Sequence, residues 1–251
     1  MTLPLEGCRV IVTRERPGEL ATLLTRRGAS VVHVPLIAVV DPSDGGAELG
    51  DVLTRLDEFD WLVVTSPAGA ERAGGSARSS VHVRLAAVGK ATAAELRRTS
   101  GREVDLVPEV QRAEGLATAF AAQQLPRQRI LIAQADIAAP TLADSLRDAG
   151  HDVTTVVAYR TVVVEPDAEA LRRAGQVDAV CFASGSAVEG WCRAFGSGTP
   201  PLAVAIGPST AEAAARFGLK VTGVAADQSL EGLVTELEQQ WVGGVGRRED
   251  R

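Results

Sequence analysis

A chain of 251 residues, 45% of them hydrophobic, has the length of one large or two ordinary globular domains, each able to bury a core. Its net charge of −6, with no run of Lys/Arg longer than a pair such as Arg247-Arg248, argues against a nucleic-acid backbone as ligand. No apolar run approaches the roughly 18 residues that span a bilayer, and the opening MTLPLEGCRV lacks a basic segment followed by an apolar one, so a cytoplasmic protein with no membrane partner is expected.

In chain order, residues 8–13 read as a buried β-branched strand. Pro17 stands where a first helical turn tolerates it, and Leu20, Leu23 and Leu24 share a face until Gly28 ends the helix. A strand over 30–34 and an extended stretch over 36–40 lead to the turn formers 41–46. Next come a helix over 47–56, a strand over 61–65, a helix from Pro67 broken by the Gly/Ser-rich 74–80, and a strand over 85–88. A helix over 91–99, a strand over 104–107 and a helix over 113–122 end at the polar link 123–128.

The second half repeats this grammar. Strand 130–133, helix 140–149 and strand 152–156 run into a second extended stretch, 157–165, closed by Pro166. Helix 167–174, strand 178–183, helix 186–194, strand 202–206, helix 208–217, strand 220–224 and helix 230–240 follow, and 243–251 reads as a disordered tail. Alternation of this kind predicts an α/β protein with parallel sheets flanked by helices.

The repetition is literal. DWLVVTSPAGAE at 60–71 returns as DAVCFASGSAVE at 178–189, and AVGKATAAE from Ala87 returns as AIGPSTAEA from Ala205, the same offset of 118 residues as Asp60 to Asp178. Residues 9–34 resemble 129–156 more faintly, with strand, Pro, helix, Gly and strand in one order. A unit this long is a domain, since solenoid repeats run to about 50 residues.

Two pairings of the four blocks are open. Contiguous domains would join near residue 125; interleaved ones would make 1–36 with 165–251 an outer domain and 41–157 an inserted one. The second is preferred, because its two crossings fall at 36–40 and 157–165, the stretches outside the repeat, which could pair as a two-stranded linker.

In a parallel sheet ligands meet the carboxyl ends of the strands. Here those turns hold Thr13 and Arg14, Thr65, Ser66 and Pro67, Lys90 and Thr92, Gln134, Ser184, Gly185 and Ser186, and Pro208 and Thr210. They are small and hydroxyl-rich, so helix-start N–H groups are expected to stand open to an anion, and two such faces would line a cleft. Taken singly, Ser66, Ser186 and Thr210 are ordinary N-cap types. Tyr159, the one tyrosine, is either a proton donor or an aromatic bracing the linker. Trp61 and Trp191 are expected in cores. Cys8, Cys181 and Cys192 lack CxxC spacing and His33, His82 and His151 lack ligand spacing, so no metal or cofactor is expected.

Set in order, VTR at 12–14, TSP at 65–67, AVGKATA at 87–93, AEGL at 113–116, AYRT at 158–161, FASGSAVE at 182–189 and AIGPSTA at 205–211 resemble the uroporphyrinogen-III synthase family over essentially the whole chain. The resemblance implies two flavodoxin-like domains joined by a two-stranded linker. It also implies closure of hydroxymethylbilane to uroporphyrinogen III without a cofactor. By the same resemblance Tyr159 would assist the leaving hydroxyl, and Thr92, Ser66, Ser184, Ser186 and Thr210 would meet substrate carboxylates. A monomer is expected, with at most transient contact to the upstream deaminase. Where relatives resemble an Arg-Gly or Arg-Ala turn, this chain has Ala133-Gln134-Ala135-Asp136. That departure is what favours the alternative, a tetrapyrrole-binding module without turnover.

Overall fold

The computed structural model describes residues 2–175 and 177–244. Its strands are β1 (Arg9–Val12), β2 (Ser30–His33), β3 (Ile37–Val40), β4 (Trp61–Val64), β5 (Arg84–Ala87), β6 (Arg129–Ala135), β7 (Asp152–Val163), β8 (Ala179–Phe182), β9 (Leu202–Ala205) and β10 (Gly223–Val224). The helices are α1 (Gly18–Arg26), α2 (Ala47–Thr54), α3 (Pro67–Ala73), α4 (Lys90–Ser100), α5 (Ala113–Ala122), α6 (Thr141–Asp148), α7 (Ala168–Ala174), α8 (Gly185–Phe195), α9 (Pro208–Arg216) and α10 (Leu230–Val242).

Two compact units result. The segments up to Ala38 and from Val162 onward form one, and Val39–Thr161 forms the other. The first holds a five-stranded sheet in the order β10-β9-β8-β1-β2; with the middle segment set aside this is the flavodoxin-like order, in which direction reverses between β1 and β8. The second holds β3-β7-β6-β4-β5, with the reversal between β6 and β4.

The literal repeat explains why the two sheets match. Asp178 accepts from the Arg9 N–H at 2.8 Å, tying β8 to β1, and its counterpart Asp60 accepts from the Arg129 N–H at 2.7 Å, tying β4 to β6. In both sheets the central strands are apolar along their interior positions, β4 and β8 entirely so, because helices cover both faces. Leu62, Val64, Leu85, Ala87, Leu131 and Ala133 pack on one side of the second sheet, and Trp61, Val63, Ala86, Ile130 and Ile132 on the other. Period-2 alternation sorts Val10, Val12, Cys181 and Val204 from Ile11, Val180, Phe182 and Ala203 in the first. Trp61 and Trp191 are both buried.

The structure departs from the sequence reading at the sheet edges. Residues 104–107 form no named strand: Leu106 makes an isolated bridge to Ala86, because the Asp105 carboxylate accepts the Leu85 N–H at 2.7 Å in place of a ladder partner. The strand expected over 220–224 shrinks to Gly223–Val224, where the Thr222 hydroxyl serves the Ala203 N–H and carbonyl, both at 3.1 Å. Residues 152–156 and 157–163 form one continuous strand, β7, with β3 beside it and a register shift opposite Gln134 and Ala135. Of the expected tail, Gly243 and Gly244 form a turn, and 245–251 lie outside the described residues.

Candidate active-site turns

The reversal points put named side chains at the carboxyl ends of β1 and β8 in one unit and of β6 and β4 in the other. In the first, Thr13 follows β1 fully buried, its hydroxyl without a hydrogen-bond partner among the described residues. Arg14 is half-buried, and its carbonyl accepts from His33 Nε2 at 2.8 Å, so a histidine without ligand spacing fixes this turn. His33 also borders a groove of about 650 Å³ along β2 that includes Arg9, Asp167 and Arg173.

Ser184 caps α8. Its Oγ accepts from the Ala187 N–H at 3.2 Å and lies 3.0 Å from Ser186 Oγ, while Gly185 opens the helix. Pro208 is exposed at the first turn of α9, and Thr210, 3% exposed, is inside it. Gly207 is the cap there, and Gln228 lies so close that a Cβ would meet its Cγ at 2.9 Å.

In the middle unit Thr65 is half-buried after β4, Ser66 Oγ accepts from the Gly69 N–H at 3.1 Å, and Pro67 is the exposed first residue of α3. Gly89 caps α4; the exposed Lys90 donates its backbone N–H to Gln111 Oε1 at 2.7 Å, and Thr92 is buried. Gln134 is half-buried near the end of β6. Tyr159, 9% exposed, pairs across from Ala135, belongs to the core cluster of this sheet, and its hydroxyl makes no hydrogen bond among the described residues.

These contacts correct two expectations. Helix-start N–H groups do not all stand open: those of Gly69, Ala187 and Lys90 are already taken by Ser66, Ser184 and Gln111, since a side chain of the same chain satisfies an orphan donor without the entropy loss of capturing a free ligand. Ser186 and Thr210 are not caps, because each helix begins one or two residues earlier, after Ser184 and Gly207.

One residue the sequence reading passed over joins the site. Arg72 of α3 reaches back toward its own first turn, as helical side chains lean, and its guanidinium lies 5.8 Å from the centre of the Tyr159 ring. Its place one helical turn past Ala68, in the helix that the TSP turn opens, is the signal that marks it. The thiols of Cys8 and Cys181 are pushed up to about 12 by burial and are inert core groups. Among the described residues no cluster of His, Cys, Asp and Glu has the makings of a metal site.

The family model described as Uroporphyrinogen-III synthase HemD matches residues 18–235. The chain belongs to the uroporphyrinogen-III synthase family. It is 28% identical to a porphyrin biosynthesis protein HemD of Ruminiclostridium josui over 75% of this chain, and spans 39% of that relative's length. To a relative from Methanocaldococcus jannaschii it is 29% identical over 43% of the chain, spanning 45% of that protein. Among solved structures, uroporphyrinogen-III synthetase from Helicobacter pylori superposes with a TM-score of 0.61 at 16% identity, covering 91% of this chain and 96% of that one. A mutant uroporphyrinogen III synthase from Thermus thermophilus gives 0.54 at 20% identity over 94% and 100%. At those identities the family's structures establish the fold, two α/β units with parallel sheets. No helix among the described residues is long and apolar enough to cross a membrane.

Proposed function

We propose that this protein is a cofactor-independent lyase that converts hydroxymethylbilane to uroporphyrinogen III. The observation that carries the reading is the family match over residues 18–235, which spans turn motifs of both units, all those named except the Thr13-Arg14 turn.

The chemistry asks little of the protein beyond position. The electron-rich terminal pyrrole expels hydroxide from its hydroxymethyl carbon: the C–O bond breaks, the ring nitrogen's electron pair stabilises the cation, and a proton from an acid completes the water. The substituted α-carbon of the last ring then attacks that methylene carbon, giving a spiro centre. The bond from the spiro carbon to its original bridging carbon breaks, that bridging carbon rejoins at the ring's free α-carbon, and the proton there is lost, so the ring is inverted. Holding the chain folded so that this carbon and no other attacks is an orientation effect. Tyr159 suits the acid's role, because its phenol is unspent by internal hydrogen bonds at the carboxyl end of the sheet. The hydroxyl turns at Thr65, Ser66, Ser184 and Ser186 serve substrate carboxylates with whatever donor capacity their capping bonds leave.

Freshly made hydroxymethylbilane closes on its own to the type I isomer, so incubation with and without protein, followed by separation of the isomers, tests the reading. Type III product above the enzyme-free control is expected; an unchanged mixture overturns it. Tyr159→Phe is expected to slow type III formation by about 10²-fold or more while the fold stays intact. The protein is expected to act as a monomer that receives its substrate from the upstream deaminase by transient contact.

A further inference from the structure

Three arginines of the middle unit are tied down in different ways. Arg102 donates four hydrogen bonds of 2.7–3.3 Å to the carbonyls of Ala77, Ser80, Val81 and Val83, which spends its donors on closing a loop. Arg84 lies over Trp61 at 4.2 Å and donates to Gln128. Arg72 is as enclosed as a structural arginine, its side chain 22% exposed, yet its two polar contacts, to the Ala68 carbonyl and the Asp41 carboxylate, are both 3.5 Å long. A guanidinium carries five N–H donors in a planar fork. Most of that capacity is unspent in a place where water reaches it poorly.

The location adds a second argument. Tyr159 pairs with Ala135 at the end of β6, and the Tyr159 carbonyl accepts from the Asp136 N–H at 3.1 Å, so the ring beneath Arg72 stands at the carboxyl end of β6, one of the two strands that flank the reversal point of this sheet. The ring is a platform that fixes the guanidinium while leaving its edge donors free. Asp41 marks the direction from which a carboxylate approaches. It is 75% exposed, and an ion pair that open contributes little, so another carboxylate displaces it readily.

We propose that Arg72 is the carboxylate-binding residue of the middle unit, supplying the positive charge that the Ala133-Gln134-Ala135-Asp136 turn lacks. The inference rests on the tetrapyrrole reading above, since it takes the ligand to be a polycarboxylate. A fork facing a carboxylate makes two parallel charge-assisted hydrogen bonds, so Arg72 selects a propionate or acetate arm by geometry as well as charge.

Uroporphyrin III, a stable octacarboxylate, is the probe, titrated by its fluorescence at low and high salt. Arg72→Gln is expected to weaken its binding about 10-fold or more and to flatten the salt dependence. In turnover the same variant raises KM about 10-fold with kcat within about threefold, whereas Tyr159→Phe lowers kcat and leaves uroporphyrin binding in place. Asp41→Asn removes the competitor and tightens binding a few-fold. Binding by Arg72→Gln equal to the parent's, with melting and circular dichroism unchanged, overturns the proposal. Should that variant not fold, Arg72→Lys decides, because it keeps the charge and loses the fork: binding within twofold of the parent overturns the proposal, and weaker binding supports it. A parent that binds uroporphyrin III through Arg72 yet makes no type III isomer overturns the synthase reading and leaves this one standing.

Discussion

Single side chains decide this molecule's polar chemistry by what they already hold. Ser66 and Gln111 sit at turns that look open in sequence, and each has closed a hydrogen bond to a helix N–H. Arg72 makes only two contacts, both 3.5 Å long, and the Tyr159 hydroxyl none among the described residues, which is why they are the better candidates for contact with a ligand. His151 shows the same logic in a structural setting. Burial beside Phe120 disfavours its charged form and holds its pKa below the usual histidine value, and its Nδ1 accepts the Gln128 N–H at 3.2 Å. A folded-state pKa below the unfolded one means that the unfolded chain binds the proton more readily, so the contribution is complete above about pH 6.5 and is lost as pH falls through that value and the lower folded one. The melting advantage of the parent over His151→Gln, which keeps an acceptor but cannot take up a proton in this range, is expected to shrink between pH 7.5 and 5.5. A constant difference would refute the assignment.

At the scale of elements, the residues that bound each helix matter more than those that fill it. α3 and α8 occupy equivalent places in the repeat, and each begins at a serine whose hydroxyl takes the N–H three residues on. Ser66→Ala and Ser184→Ala are each expected to cost about 1 kcal/mol, read as the shift in urea midpoint at constant slope. The two losses should add, because the serines belong to separate sheets. The elements also mark where sequence reading reaches its edge. Alternating strand and helix, the cap at Ser66 and the order of the repeat were legible because they rest on local periodicity and turn chemistry, whereas Ser186 and Thr210 fall inside their helices. Residues 104–107 and 220–222 carry β-forming residues and still make little strand, because Asp105 and Thr222 place side-chain oxygens where ladder partners would be. Nothing local distinguishes a carboxylate that will do this from one that faces water.

For the whole molecule, each unit owns a complete five-stranded sheet and clusters on both of its faces. Val39–Thr161 is continuous in sequence and carries two of those clusters. Expressed alone, it is expected to unfold cooperatively in urea, with circular dichroism and tryptophan fluorescence of Trp61 changing together; a broad transition with separated probes would refute its independence.

The duplication, the α/β alternation, the family and the positions of the carboxyl-end turns are readable from the chain one neighbourhood at a time, because periodicity, small-residue turns and an offset of 118 residues between copies are local properties. Tertiary structure alone decided which donors remain unspent. Arg72 lies 87 positions before Tyr159, and their contact exists because α3 begins at the end of β4 and β7 lies one strand beyond β6 in the same sheet. Such a meeting is set by strand order, which long-range burial of both sheet faces imposes and no local pattern encodes.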